Sequence, residues 1–329
     1  MKQLTYTFLL LTLTLGLSAQ ELHFSQFYNA PLHMSPSNAG AFDGTRIVAN
    51  YRDQWPGIAN TYTTYMLSVD HYFEKQHSGV GFLASRDQSG DLSLNTSKFA
   101  GMYSFDFKAY RNLHVKPGLE FSYSLNGINY ANMRLREQIV LGAPVASSMP
   151  DFTSFNYYDA AASIMVYSPT FRFSFKADHL ARPSQVQYSN DLMPFLFNFY
   201  GTYDIGFRQR ILSGESRKLI PAFNLSFSSN YRQLDLGVIT QRDDLQIGLF
   251  YRGIPSFKSY AGSDALILSL GYTYNNIKFT ASHDFTISGL SQSSNGANEV
   301  SLIILFENKF NSKKHYTPRK CVEPTPKKE

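Results

Sequence analysis

Long stretches of this chain alternate strictly between apolar and polar residues, and a period of two is the mark of β-strands with two unlike faces. From Thr170 to Asp178, Phe171, Phe173, Phe175 and Ala177 share one face, while Arg172, Ser174, Lys176 and Asp178 share the other. Tyr203, Ile205 and Phe207 oppose Asp204, Gly206 and Arg208 in the same way, and Leu219, Phe223, Leu225 and Phe227 oppose Ala222, Asn224, Ser226 and Ser228. Leu266, Leu268, Leu270, Tyr272 and Tyr274 oppose Ser269, Gly271 and Thr273, and then Ile277, Phe279 and Ala281 oppose Lys278, Thr280 and Ser282. A strand that crosses an outer membrane needs about 9–11 residues, with its apolar side chains toward lipid. The pattern predicts fourteen such strands, at roughly 45–52, 62–73, 78–86, 96–107, 112–125, 155–167, 170–178, 198–209, 217–229, 232–240, 244–252, 263–274, 276–285 and 298–307.

The connections between them sort by parity. Even-to-odd connections are short, at 74–77, 108–111, 168–169, 241–243 and 275–276, with 210–216 somewhat longer. Odd-to-even connections are long, at 53–61, 87–95, 126–154, 179–197, 253–262 and 286–297, with one short exception near Asn230–Tyr231. Transmembrane barrels have short periplasmic turns and long outward loops, whereas a soluble sandwich has no reason to sort its loops this way. The fold class expected is all-β: a transmembrane antiparallel barrel.

Composition agrees. Tyr and Phe number 22 and 27, aromatic residues reach 15% and charged residues only 17%, as aromatic girdles and a lipid-facing wall require. Lys2, the apolar run Phe8–Leu17 and the small residues Gly16, Ser18 and Ala19 follow the order of a secretory signal peptide, so cleavage is expected after Ala19. No later run reaches the roughly 18 apolar residues of a membrane helix. Cys321 is the only thiol, so no intrachain disulfide is available. The expected plan is a signal peptide at 1–19, a segment 20–44 without a full alternating strand, a barrel at 45–310 and a basic periplasmic tail at 311–329. The middle segment is expected to plug the lumen or cap its periplasmic mouth. The tail, with six Lys or Arg against two Glu, is a solvated extension or a handle for an envelope partner, and its location argues against nucleic acid.

Enzyme motifs are missing or broken. Gly79, Gly81 and Ala84 fit G-x-G-x-x-A, but the segment alternates as a strand and no helix follows. Asp70–His71 and His283–Asp284 are sequence neighbours, so on a strand each pair points to opposite faces and cannot act as a dyad. No catalytic residue, metal or cofactor is expected. The predicted lumen-facing charges Lys116, Glu120, Arg172, Lys176, Asp178, Asp204, Arg208 and Lys278 mix both signs, which favours a lattice of salt bridges over a selective channel.

The residues after the leader read His23-Phe24-Ser25-Gln26-Phe27-Tyr28-Asn29-Ala30-Pro31-Leu32, then Ser35-Pro36-Ser37-Asn38-Ala39-Gly40. Arg46, Asn50-Tyr51-Arg52-Asp53-Gln54-Trp55-Pro56 and Ser68-Val69-Asp70 follow, and near the end Ile287-Ser288-Gly289-Leu290 precedes Glu299-Val300-Ser301-Leu302. This set closely resembles the PorP/SprF family of outer-membrane proteins associated with the type IX secretion system of Bacteroidota. The resemblance implies a barrel without enzymatic activity that helps secrete or anchor a large cell-surface protein, such as a gliding-motility adhesin carrying a type IX C-terminal domain. Outer-membrane lipid, that client, and periplasmic secretion-ring or peptidoglycan-binding components are the partners implied. The family-signature residues expected to form a plug or docking surface are Phe24, Ser25, Gln26, Phe27, Pro31, Pro36, Asn38, Gly40, Arg46, Tyr51, Arg52, Gln54 and Trp55. Arg134, Arg136 and Glu137, in the longest loop, are expected to contact a partner. The alternative function is a channel for hydrophobic or small solutes.

Overall fold

The computed structural model describes residues 22–57, 62–89, 94–127, 155–184, 192–207, 217–229, 232–253, 264–287 and 295–307. Its strands are β1 (Gly44–Gln54), β2 (Tyr62–Phe73), β3 (Ser78–Ser89), β4 (Leu94–Phe105), β5 (Phe107–Tyr110), β6 (Leu113–Gly127), β7 (Phe155–Tyr167) and β8 (Phe171–Asp178). There follow β9 (Leu196–Tyr203), β10 (Ile205–Phe207), β11 (Arg217–Phe227), β12 (Arg232–Arg242), β13 (Leu245–Arg252), β14 (Ala265–Tyr274), β15 (Ile277–Thr286) and β16 (Ala297–Glu307). β5 prolongs β4 along β6, and β10 prolongs β9 along β11, so the sixteen segments make fourteen staves.

Each stave pairs antiparallel with its sequence neighbours, and β1 pairs β16 from Gly44↔Glu307 to Gln54↔Ala297, which closes the ring. Closure leaves the sheet without the two free edges that an open sheet would present to lipid. No helix among the described residues is long and apolar enough to cross a membrane.

The alternation read from the sequence becomes an inside and an outside. On β14, Ala265, Ile267, Ser269, Gly271 and Thr273 are buried, while Leu266, Leu268, Leu270, Tyr272 and Tyr274 stand outward. On β8 the buried side chains are Arg172, Ser174, Lys176 and Asp178. The outer wall is aromatic where β8, β9 and β11 meet: Phe173 tilts against Phe223 at 6.3 Å, Phe175 against Phe199 at 4.7 Å, and Phe199 stacks on Phe227 at 6.0 Å.

Two strands predicted as continuous are broken, each at an aspartate. Asp106 separates β4 from β5 by donating its N–H to His77 O at 2.7 Å instead of to the ladder, and its carboxylate meets His114 at 3.0 Å. Asp204 separates β9 from β10, donating to Thr170 O at 2.6 Å and pairing with Lys218 at 3.1 Å. Both breaks lie at the end of the ring that carries the short turns, the periplasmic end by the general asymmetry of such barrels.

Candidate functional site

Residues 22–42 form no strand. They make a 3-10 turn at Phe27–Asn29, one helical turn at Pro31–Met34 and a second 3-10 turn at Pro36–Asn38, with Pro at the first position of the last two. Pro has no N–H to leave unsatisfied there and a φ already suited to the turn. Phe24, Ser25, Gln26, Phe27, Asn29, Pro31, Leu32 and Pro36–Gly40 are all buried, although the segment has no sheet of its own to bury them. It lies inside the ring and meets the inward side chains of staves on every side.

At its C-terminal end the segment is gripped by Arg46 and Asp70. Arg46 Nε donates to Asp70 Oδ1 at 2.9 Å and its Nη2 to Asn38 O at 3.0 Å, while Gly40 N donates to Asp70 Oδ2 at 2.8 Å. Lys116 Nζ donates to Gly40 O at 2.7 Å and Ser104 Oγ to Ala39 O at 2.7 Å. Gly40 has φ +59°, a conformation glycine adopts without penalty. The wall is hollowed to receive it: a Cβ on Gly79 would lie 1.9 Å from Ala39 O, and one on Gly118 2.4 Å from Ser37 N.

At its N-terminal end Ser25 and Gln26 sit on a charge cluster built from five staves. Glu299 accepts Ser25 N at 2.7 Å, Gln26 N at 3.0 Å and Arg52 Nη1 at 3.1 Å. Asp284 Oδ2 accepts Ser25 Oγ at 2.6 Å, Arg52 Nη2 at 3.1 Å and Arg252 Nη1 at 2.9 Å, and Arg252 Nε continues to Asp235 at 3.0 Å. Arg52 also donates to Ser25 Oγ. These side chains are nearly all removed from solvent, and buried charge persists only where it is paired and hydrogen-bonded. Between the two ends, Lys278 donates to Asn29 Oδ1 at 2.8 Å, Tyr28 to Ser269 Oγ at 2.8 Å, and Phe27 packs edge-on against Phe250 and Tyr200.

The predicted lumen lattice is therefore present. Lys98–Glu120 at 2.7 Å, Lys176–Asp178 at 2.9 Å and Lys176–Glu120 at 3.5 Å extend it, and Arg208 lies outside the described residues. Ten of the thirteen signature residues come together in the lumen or on its wall: Phe24, Ser25, Gln26, Phe27, Pro31, Pro36, Asn38, Gly40, Arg46 and Arg52. Gln54 is half-buried beside Arg52. Tyr51 faces outward and packs on Tyr65, and Trp55, at φ +62°, sits past the end of β1 with its ring edge-on to Tyr62. Arg134, Arg136, Glu137, the leader and the basic tail lie outside the described residues. Asp70 and His71 face opposite ways, His71 meeting Thr45 Oγ1 at 2.8 Å, and His283 likewise points away from Asp284 toward Asn298. Asp235 and Arg252 were not singled out from the sequence, although the alternation of β12 and β13 puts both on the inward face.

Among the described residues, two cavities flank the segment. One, toward the short turns, is lined by Tyr28, Asn29, Arg172, Gln246, Lys278 and Leu305 among others, and the other, toward the long loops, by His23, His33, Lys98, Glu120, Lys176 and Asn198 among others. Unfilled space, open solvent included, is about 710 Å³ and 820 Å³.

His33 in the outer chamber is held neutral. Burial, then Lys176 and Lys98, push it down to about 3 from an ordinary 6.5, against the opposing pull of Glu120 and the Leu22 carbonyl 3.1 Å away. The seated segment thus binds fewer protons than a released one, so seating is strongest above the ordinary histidine value and weakens as pH falls from about 6.5 toward 3. Protection factors of the Leu22–Met34 amides, corrected for the intrinsic exchange rate, should fall over that window, and His33→Phe, which keeps the edge contact with Phe24, should reduce the fall, leaving the share of His23, which burial also holds low. An unchanged pH profile in the variant would remove His33 as the cause.

A family model described as "Type IX secretion system membrane protein PorP/SprF" matches residues 17–304. Among curated proteins no sequence match is found. Solved structures with some likeness include Omp33 of Acinetobacter baumannii, at 8% identity and TM-score 0.45 over 80% of this chain and 99% of that one. The CymD monoaromatic hydrocarbon channel shares 10% identity at TM-score 0.44 over 85% and 93%, and CdiB from Acinetobacter baumannii 7% at 0.43 over 79% and 60%. Likenesses this weak add nothing to the closure already given by strand pairing.

Proposed function

Because the chain belongs to the PorP/SprF family of type IX secretion system membrane proteins, we propose that this outer-membrane barrel helps secrete or anchor a large cell-surface protein, such as an adhesin with a type IX C-terminal domain. The observation that carries the reading is the segment Phe24–Gly40 seated across the lumen and gripped at both ends by buried ion pairs. A barrel occupied in this way works through its ends and loops, by binding proteins, and not by passing solutes. Secretion-ring or peptidoglycan-binding components are the partners at the periplasmic end, and the connection holding Arg134, Arg136 and Glu137 is a docking element at the outer end.

Affinity purification of the tagged barrel from native outer membranes, with mass spectrometry of what accompanies it, tests this. Recovery of one large secreted protein, and its loss from the cell surface when the barrel is deleted, is the expected result. Normal surface display in the deletion strain would overturn the anchoring role. If the deletion instead abolished uptake of a hydrophobic or small solute, the protein would be a channel.

A further inference from the structure

The two ends of the segment lie at opposite mouths of the barrel. Its first residues meet the wall at the end of the ring that carries the long loops. His23 touches Gln233, the second residue of β12, and Ser25 and Gln26 rest on Glu299, the third residue of β16. Ser25 also reaches Asp284 near the end of β15 and Arg252, the last residue of β13. The last residues of the segment meet the wall beside the short turns. Ala39 O accepts from Ser104 near the end of β4, and Gly40 is held between Asp70 near the end of β2 and Lys116 near the start of β6. Arg46 and Arg52 mark the two levels on β1, about 20 Å apart along the wall at the rise of a strand. The path between is folded: Lys176 holds His33 O toward the outer end of β8, and Ser174 and then Ser163 meet Ser35 and Ser37 as the chain descends.

The ends also differ in how they are held. The lower one runs through Asp43 straight into β1 and is fixed by the chain itself. Among the described residues the upper one is held by noncovalent contacts. The asymmetry that puts the short turns in the periplasm puts this upper end at the cell surface. We infer that the segment is a strap latched on the cell-surface side. The contacts of His23, Ser25 and Gln26 are within reach of an agent outside the cell, while the periplasm faces the end fixed to β1. Chain ends open locally at lower free energy than stretches tethered on both sides, so the strap unseats from Leu22 downward. A plug whose free end stayed in the periplasm would be released from that side instead. The inference does not depend on which surface protein the barrel serves.

Two measurements test it. In the full chain with its only thiol removed by Cys321→Ser, a single new thiol is placed by Leu22→Cys, at the free end, or by Lys75→Cys, in the short turn after β2. A membrane-impermeant maleimide added to intact cells should label the first, and should label the second only after the outer membrane is permeabilised. Labelling of Leu22→Cys only after permeabilisation, or not at all, overturns the inference, and so does labelling of Lys75→Cys in intact cells. The second measurement uses the unaltered barrel in lipid nanodiscs and stands even if a variant fails to fold. With rising urea, hydrogen exchange should show the Leu22–Phe27 amides losing protection before those of Ser37–Phe42. Simultaneous loss, or loss in the reverse order, overturns release from the outer end.

Discussion

Gly79→Ala should unseat the N-terminal segment while leaving the barrel closed. Gly79 lies on the inward face of β3, and an added Cβ would stand 1.9 Å from Ala39 O and 2.5 Å from Ala39 C. Those neighbours are backbone, which cannot swing aside as a side chain tip could. The cost is therefore at or beyond the upper end of the about 1–3 kcal/mol typical of overpacking, concentrated on the segment. The ladder to β2 and β4 is unaffected, because the new methyl projects into the lumen. In planar bilayers the unaltered protein should be nearly silent and the variant should conduct, and protease should reach the Leu22–Phe42 stretch only in the variant. Gly118→Ala, with Ser37 N at 2.4 Å, should act alike, whereas Gly101→Ala, with open space around it, should do nothing. A silent, protease-resistant Gly79→Ala would mean that the segment does not block the lumen.

Glu299→Ala should be still more disruptive, because one carboxylate holds two backbone N–H groups and a guanidinium at once. Its loss leaves Ser25 N, Gln26 N and part of Arg52 buried without acceptors. Removing one partner of a buried ion pair typically costs about 3–5 kcal/mol, largely the penalty of stranding the other. Asp284 holds Ser25 Oγ, Arg52 and Arg252 through Oδ2 and accepts neither of the two backbone N–H groups that Glu299 holds. Heat-modifiable migration on gels should show a lower unfolding temperature, and cross-linking between positions 26 and 282 should fall, since Gln26 Nε2 now lies 2.9 Å from Ser282 Oγ. Retention of both would demote the cluster from anchor to bystander.

How much of this was readable beforehand follows from what a period of two encodes. All fourteen staves were legible, and 62–73 and 155–167 match their strands end to end. The breaks at Asp106 and Asp204 were not, because alternation continues across each while only the hydrogen bond to His77 or Thr170 reveals the interruption. Parity also placed Lys116, Glu120, Arg172 and Lys176 inside, but it says nothing of which carboxylate a given cation meets across the ring. Arg52 finding Asp284 and Glu299 is a fact of closure, not of local pattern. Gly79 and Gly81 lie on a strand, as the alternation implies, yet the reason for glycine there, the close approach of the chain at Ala39, is visible only in the tertiary structure.

Ser25 is held by Glu299, 274 positions later, and β1 is flanked by β16. The first part of the exported chain therefore waits, without its acceptors, until the last strand has arrived. Contacts so distant in sequence form slowly, since the entropy of gathering the chain is lost before any reward. Once β16 has zipped onto β1 the wall has no gap through which the segment could enter sideways. Insertion of the segment and locking of the seam must then be steps of one maturation event, with the same C-terminal strand acting as both the last stave and the latch.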